Sequence, residues 1–167
     1  PQGAASFYLG ENARIKGGAK KIFGKDTHLG NHIRPTRFDG LDILPADLSY
    51  RNLDLLLDEL KKSKRELRRL VGELKTEYSY VFIDCPPVLG VLADHIFEVA
   101  DILLFPLIPT TLSERAFDKV KTHLKGKKDF QEKMVPFFTL VDSRKRMHRD
   151  VQITFSLDHP HTLSTPI

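Results

Sequence analysis

The feature of this sequence that most constrains its fold is a run of four apolar residues closed by an acidic residue and two prolines. Residues 80–83 read Tyr-Val-Phe-Ile, and they are followed by Asp84, Cys85, Pro86 and Pro87. A continuous apolar run of this length predicts a strand buried on both faces, and two prolines end a strand because they remove two backbone donors. Residues 102–105 and 137–141 repeat the apolar run.

Amphipathic segments separate these predicted strands. Residues 89–100 and 112–124 carry apolar side chains at three- and four-residue spacing. Residues 53–74 do the same, and they predict two helices or one helix broken near Ser63. Strands that alternate with helices predict right-handed βαβ units in a parallel sheet.

The first part of the chain has a different pattern. Residues 1–40 are rich in glycine and lysine, which predicts mostly loop with room for a short helix. Residues 41–45 alternate apolar and polar side chains and stop at a proline, which predicts a short strand.

In a parallel sheet, ligands bind where the carboxyl ends of the strands meet. Asp84, residues 106–109 and Asp142 stand at these ends in the predicted sheet. A carboxylate fixed by a strand is a hard oxygen ligand of the kind that magnesium prefers, so Asp84 is the candidate metal residue. The pattern alone is weak, because a polar residue can end any strand.

Length and composition limit the class of protein. A chain of 167 residues with 41% hydrophobic content predicts one domain. No run approaches the roughly 20 apolar residues of a membrane-spanning helix, and no signal-peptide pattern is present, so we expect a cytoplasmic protein. Cys85 is the single cysteine, which excludes a disulfide framework and a multi-cysteine metal site within the chain.

Positive charge is concentrated in one segment. The net charge is +4, but residues 119–149 hold ten Lys and Arg against three Asp and Glu, an excess of seven. The densest cluster is Arg144, Lys145, Arg146 and Arg149, at the start of a predicted helix that runs toward Phe155. Such a cluster neutralises nucleic-acid phosphates or is simply a solvated helix start, and the sequence favours neither.

The apolar run with its Asp-Cys-Pro-Pro ending resembles the Walker B and switch II segment of the ParA/Soj/MinD ATPases, a deviant-Walker group of P-loop NTPases. Four further stretches resemble the same family in the same order: residues 1–6, which begin Pro-Gln-Gly, and residues 41–46, 105–113 and 139–144. The resemblance therefore covers nearly the whole chain, and the order of the segments is more specific than any one of them.

This resemblance implies an α/β fold, a three-layer P-loop NTPase-like arrangement with a mostly parallel sheet flanked by helices. The chain is expected to be one partial ATPase domain over residues 1–167, with a loop-rich switch I side at 1–40 and a βα core at 41–167. It is expected to lack the first strand, the P-loop and the first helix of the family, because the Pro-Gln-Gly segment follows these elements in the family.

The resemblance also implies ligands and partners. ATP and Mg²⁺ are the expected cofactors, with Asp84 holding magnesium directly or through water. The residues expected to face the nucleotide are Pro1, Gln2, Gly3, Asp84, Pro86 and Pro87. The expected partners are a second copy of the chain in an ATP-dependent homodimer, nonspecific DNA bound through Arg144, Lys145, Arg146 and Arg149, and a ParB-like activator.

One lysine-rich stretch superficially resembles the family's phosphate loop. Residues 16–21 read Lys-Gly-Gly-Ala-Lys-Lys, whereas the family has Lys-Gly-Gly-x-Gly-Lys-Thr after a buried strand. The hydroxyl residue that binds magnesium is missing, and the stretch follows Pro-Gln-Gly instead of preceding it. We therefore expect a basic surface loop, assign no catalytic residue, and expect no ATP hydrolysis by residues 1–167 alone.

Three functions remain open at this stage. The first is a ParA-type ATPase that drives DNA segregation or cellular positioning. The second is an ATP-dependent enzyme similar to cobyrinic acid a,c-diamide synthase or dethiobiotin synthetase, and the third is a non-catalytic binding module on the same fold. The Asp-x-Pro-Pro segment and the Pro-Thr-Thr-Leu-Ser stretch at 109–113 favour the first. A zinc site at His159 and His161, and a nucleophilic Cys85, are both disfavoured.

Overall fold

The computed structural model describes residues 4–10, 18–24, 27–46, 55, 57, 63–85, 89–126 and 128–167. It divides the chain into two compact units, residues 1–99 and residues 100–167. The described helices are α1 Ala4–Tyr8, α2 Gly18–Ile22, α3 Ser63–Glu77, α4 Val91–Val99, α5 Thr111–His123, α6 Lys128–Glu132 and α7 Arg146–Asp158, with a 3-10 turn at Leu29–Asn31. The described strands are β1 Arg34–Pro35, β2 Asp42–Ile43, β3 Leu103–Leu107 and β4 Met134–Phe138.

The core of the first unit is built around helix α3. Its residues Leu67, Leu70 and Val71 are buried, as the three- and four-residue spacing predicts. They form one hydrophobic cluster with side chains from other parts of the unit: Ile22, Phe23, Leu29, Leu57, Leu92 and Ile96. The second predicted helix of residues 53–74 is thus confirmed as α3, whereas most of the first lies outside the described residues.

Charged side chains fix the polar face of α3. Glu98 on α4 accepts from Lys64 at 2.5 Å and lies 3.8 Å from Arg68. Arg69 contacts Glu66 one turn before it at 3.0 Å and Glu73 one turn after it. Lys64, Arg68 and Arg69 are therefore paired side chains on the polar face of this helix.

The two short strands of the first unit form an antiparallel pair. Arg34 is opposite Ile43 and Pro35 is opposite Asp42. The connecting turn contains Gly40 at φ 74°, a left-handed conformation that glycine adopts without strain. Strand β2 confirms the strand predicted at residues 41–45, although β1 was not predicted from the sequence.

The segment 80–83 differs from its prediction. It has no regular secondary structure, and Tyr80 and Phe82 are 82% and 79% exposed. An apolar run becomes a strand only where a second backbone completes its hydrogen bonds, and the described strands pair as β1 with β2 and β3 with β4. The prediction of a strand buried on both faces is therefore wrong for residues 80–83 in this structure.

The second unit contains the predicted βαβ arrangement. Strands β3 and β4 are parallel, in register from Leu103 opposite Met134 to Leu107 opposite Phe138, and helices α5 and α6 connect them. Helix α7 then leads to a tail that continues the pairing, because Leu163 N–H donates to the Pro136 carbonyl and Ile167 N–H donates to the Phe138 carbonyl.

Two strand boundaries in this unit differ from their predicted positions. Strand β3 extends two residues beyond the predicted 102–105 and includes Pro106, which was expected in the following turn. Strand β4 ends at Phe138, three residues before the predicted end at 141. The extended conformation stops soon afterwards, because Leu140 has φ 53°, a left-handed value.

Aromatic side chains pack the interior of the second unit. Phe117 on α5 and Phe155 on α7 are both buried, and their ring centroids are 5.3 Å apart. Phe105 and Phe138 from the two strands contact the same pair of rings edge-on. These contacts explain why the apolar face of α5, which the sequence predicts, and that of α7, which it does not, turn toward the sheet.

The described residues thus confirm an α/β fold with a parallel strand pair flanked by helices. The organisation of residues 1–167 as one domain, with a switch side at 1–40, stays a prediction. Among the helices described here, none is both long and apolar enough to span a bilayer.

Candidate functional site

The segment expected to face a nucleotide leads directly into helix α1. Pro1, Gln2 and Gly3 lie outside the described residues, and α1 begins at Ala4. The buried Ser6 hydroxyl accepts a hydrogen bond from the Ala46 N–H at 3.2 Å, just beyond strand β2. This bond ties α1 to the end of β2, and the sequence analysis did not identify Ser6.

Asp84 lies at the end of the exposed segment 80–83. The residue is exposed. Pro86 and Pro87 lie outside the described residues. The role of all three residues at a nucleotide site stays a prediction.

Cys85 has the features of an unreactive thiol. Its Sγ donates to the Ile83 carbonyl at 3.2 Å, a contact that favours the protonated form. Local desolvation, and then the neighbouring Asp84 carboxylate, raise the pKa of the Cys85 thiol. Cys85 is exposed, and the expectation that it is not a nucleophile stays a prediction.

The described residues contain no group of three or more His, Cys, Asp or Glu that could hold a metal ion. Magnesium at a nucleotide is commonly held by one or two carboxylates together with phosphate and water, so the Asp84 prediction does not require such a group. His159 packs on Phe155 with ring centroids 4.3 Å apart, and burial lowers the pKa of its imidazole. His159 is thus part of the aromatic core.

A cleft of ≈ 490 Å³ lies in the first unit. It is lined by the 3-10 turn and the C-terminal half of α3, including His28, Glu73 and Glu77. None of the residues predicted from sequence lines it, so it adds no support to the predicted nucleotide site.

In the second unit, the loops that follow β3 and β4 begin side by side. Thr139 N–H donates to the Leu107 carbonyl at 2.9 Å, at the carboxyl end of both strands. The first loop leads into α5 and the second, residues 139–145, leads into α7. This is the kind of sheet edge at which open α/β folds bind ligands.

Asp142 accepts several hydrogen bonds within the second loop. Its carboxylate accepts from the Arg144 backbone N–H at 3.1 Å, and from Arg144 Nε and Nη2 at 3.0 and 3.2 Å. The Arg144 guanidinium holds the pKa of the Asp142 carboxyl below its ordinary value, with further help from the Arg144 N–H. Asp142 is therefore a stable anion and a structural partner of Arg144.

His148 fixes the same loop from inside the unit. It is 4% exposed, and its Nδ1 accepts from the Asp142 backbone N–H at 3.1 Å. This bond requires Nδ1 to be unprotonated, as in a neutral imidazole with hydrogen on Nε2. The sequence analysis did not identify this role, although His148 shares its buried helix face with Val151 and Phe155 at three- and four-residue spacing.

The predicted basic cluster is confirmed as a surface feature at the start of α7, where all four residues are exposed. Arg144 is paired with Asp142, and Arg146 Nε lies 3.4 Å from Asp150. Arg149 Nη1 donates to the Ser143 carbonyl at 2.5 Å. Whether this surface binds DNA stays a prediction.

Comparison with known proteins identifies relatives along most of the chain. The family model described as AAA domain matches residues 1–138. The sporulation initiation inhibitor protein Soj of Bacillus subtilis is 30% identical over 108 residues, which are 64% of this chain and 43% of Soj. The chain thus spans less than half the length of this curated relative.

Solved structures share the fold. Cobyrinic acid a,c-diamide synthase of Mycobacterium smegmatis matches with a TM-score of 0.83 and 25% identity, over 100% of this chain and 70% of the synthase. That synthase has also been crystallised with an ATP analogue and magnesium. A plasmid partition protein of Borrelia burgdorferi matches with a TM-score of 0.76 and 16% identity over 96% of this chain and 70% of its own, which shows the fold alone.

Proposed function

This chain belongs to the AAA domain family and is of the ParA/Soj/MinD type, and from that premise we propose that its protein binds and hydrolyses ATP to drive DNA segregation or cellular positioning. The observation that carries the proposal is the family match over residues 1–138. Because the chain spans 43% of Soj in their alignment, the activity is proposed for the full-length protein.

The nucleotide would be ATP with Mg²⁺, and Asp84 would hold the metal directly or through water. The exposed carboxylate of Asp84 fits this role because magnesium takes oxygen ligands and keeps several of its waters. When bound, the metal neutralises charge on the phosphates during phosphoryl transfer. Pro1, Gln2 and Gly3 would face the nucleotide, and Pro86 with Pro87 would form the stiff loop that responds to its γ-phosphate.

The bond between Ser6 and Ala46 supports this arrangement. It ties helix α1, which directly follows Gly3, to the end of strand β2. A nucleotide-facing segment needs such support, since phosphoryl transfer depends mainly on the positioning of charged and polar groups.

The protein would act as an ATP-dependent homodimer on nonspecific DNA, with a ParB-like protein as its activator. The exposed cluster of Arg144, Lys145, Arg146 and Arg149 would mark the surface that faces the DNA. Each Lys or Arg that neutralises a phosphate releases condensed counterions, so binding weakens as salt rises. The exposure of all four residues supports this proposal.

The test is retention of the full-length protein on a nonspecific duplex with ATP and Mg²⁺ across a salt series. We expect log affinity to fall linearly with log salt concentration, and a double variant, Arg146→Gln with Arg149→Gln, to reduce the slope by about 2. A matched control, Arg37→Gln, changes an exposed arginine of the first unit and should leave the slope unchanged. Absent binding, or binding that does not depend on salt, would contradict the proposal.

A second candidate function is an ATP-dependent amidating enzyme, favoured by the match to cobyrinic acid a,c-diamide synthase at a TM-score of 0.83. The two functions can be distinguished by measuring which added molecules increase the rate of ADP formation. DNA together with a ParB-like partner should stimulate the partition-type ATPase, whereas glutamine and a corrinoid carboxylate should stimulate the amidating enzyme. A protein that binds no ATP under either condition would be a non-catalytic binding module.

A further inference from the structure

We propose that Asp142 acts as an electrostatic latch that withholds Arg144 from DNA, so that the duplex is held by Lys145, Arg146 and Arg149. This inference rests on the proposed DNA-binding function and divides the basic cluster into members with different roles. The sequence presents the four residues as equivalent, whereas the structure gives each a different partner.

One of the edges at which the Arg144 guanidinium can bind a phosphate in two-point fashion, the Nε/Nη2 edge, is already occupied. Nε and Nη2 both donate to the Asp142 carboxylate, at 3.0 and 3.2 Å. A phosphate oxygen pair at this edge would need the same two donors, because the guanidinium fork binds carboxylate and phosphate with the same geometry. The ion pair also cancels the positive charge that would otherwise release counterions from DNA.

The carboxylate of this pair is the more buried partner and the arginine is the more exposed one. The Asp142 side chain is 26% exposed, whereas that of Arg144 is 89% exposed. The backbone of Asp142 is held at both ends, since its N–H donates to the buried His148 and its carbonyl accepts from the Lys145 N–H at 3.0 Å. Asp142 therefore keeps its place when the surface approaches another molecule.

The other three basic residues keep charge available for phosphates. Arg149 donates to a neutral carbonyl, so its charge is not cancelled. Arg146 and Asp150 form an exposed pair at spacing i,i+4, with side chains 88% and 60% exposed. Exposed pairs of this type contribute little to stability and exchange readily for another anion. Lys145 has no ion-pair partner within 4 Å among the described residues.

The test measures the salt slope of nonspecific duplex binding by the full-length protein with ATP and Mg²⁺. Arg149→Gln should reduce the slope by about 1, whereas Arg144→Gln should leave it unchanged. Asp142→Asn should increase the slope by about 1, because the released Arg144 then contacts a phosphate. Asparagine keeps an oxygen that can accept the Arg144 backbone N–H, so the loop is retained.

A double variant separates the latch from a simple change in net charge. With Arg144→Gln already present, Asp142→Asn should have no further effect on the slope. An increase in that background, or a loss in Arg144→Gln as large as in Arg149→Gln, would overturn the latch while leaving DNA binding intact. A wild-type protein that does not bind DNA would overturn both the latch and the proposed DNA-binding function.

Discussion

Cys85 shows how the chemistry of a residue depends on its neighbours. The thiol is exposed and adjacent to Asp84, so its position alone would allow reaction. Local desolvation and the Asp84 carboxylate both disfavour the thiolate, which is the nucleophilic form. An exposed cysteine in these surroundings is expected to react slowly at neutral pH.

This expectation is tested by the pH dependence of alkylation. Because the folded pKa of Cys85 is raised, the rate of reaction with iodoacetamide should reach half its maximum above the value of about 8.5 for a free thiol. Asp84→Asn should move that midpoint to lower pH by removing the negative neighbour. Mass spectrometry of the peptide that contains Cys85 gives the rate of alkylation. A midpoint at or below that of a free thiol would contradict the raised pKa of Cys85.

The candidate site was predictable from sequence only to the level of residue types. The basic cluster is exposed as predicted, and the Arg146–Asp150 pair follows the i,i+4 spacing of a helix, but the Asp142–Arg144 pair depends on backbone geometry at 140–145 that no spacing rule supplies. His148 could have been found, since it shares a helix face with Val151 and Phe155. Ser6 could not, because its partner at Ala46 is 40 residues away in sequence.

At the scale of elements, helix α5 has a well-defined start. The Thr110 side chain accepts from the Ser113 N–H at 3.3 Å, and Thr110 has an extended backbone. This is the N-cap arrangement, in which a side-chain oxygen satisfies one of the amide groups that a helix leaves unpaired at its first turn. The cap sets the direction of the helix that connects β3 to β4.

Removing the cap should destabilise the protein. Thr110→Ala is expected to lower the free energy of unfolding by about 1 kcal/mol, and Thr110→Ser should retain most of it because serine keeps the hydroxyl. Urea denaturation of the two variants and the wild type measures both values. Equal stability of wild type and Thr110→Ala would mean that the cap contributes nothing here.

Helices were predicted more accurately than strands for a physical reason. Helix hydrogen bonds are local, so spacing within the sequence was enough for α3, α4 and α5. A strand requires a partner backbone from elsewhere in the chain, so 103–107 forms a strand beside β4 whereas 80–83, equally apolar, does not. Pairing, and not apolar content, separates the two segments.

At the scale of the whole molecule, the ordered series of motifs predicted the family that the comparisons then confirmed. Several weak patterns in a fixed order carry more information than one strong pattern, and residues 1–138 match the AAA domain. Because this chain spans 43% of Soj, the activity of the whole protein stays a proposal. The central claim is therefore about the nucleotide chemistry of the full-length protein.

The most direct test of that claim compares Mg²⁺-dependent ATP hydrolysis by the full-length wild-type protein and by its Asp84→Asn variant. If Asp84 holds the metal, Asp84→Asn should lower kcat roughly 100-fold, the cost of removing one group that stabilises transition-state charge. Asp39→Asn, which changes an exposed carboxylate between β1 and β2, should leave kcat at the wild-type value. Hydrolysis by Asp84→Asn at the wild-type rate, or a wild-type protein that does not hydrolyse ATP, would contradict the account.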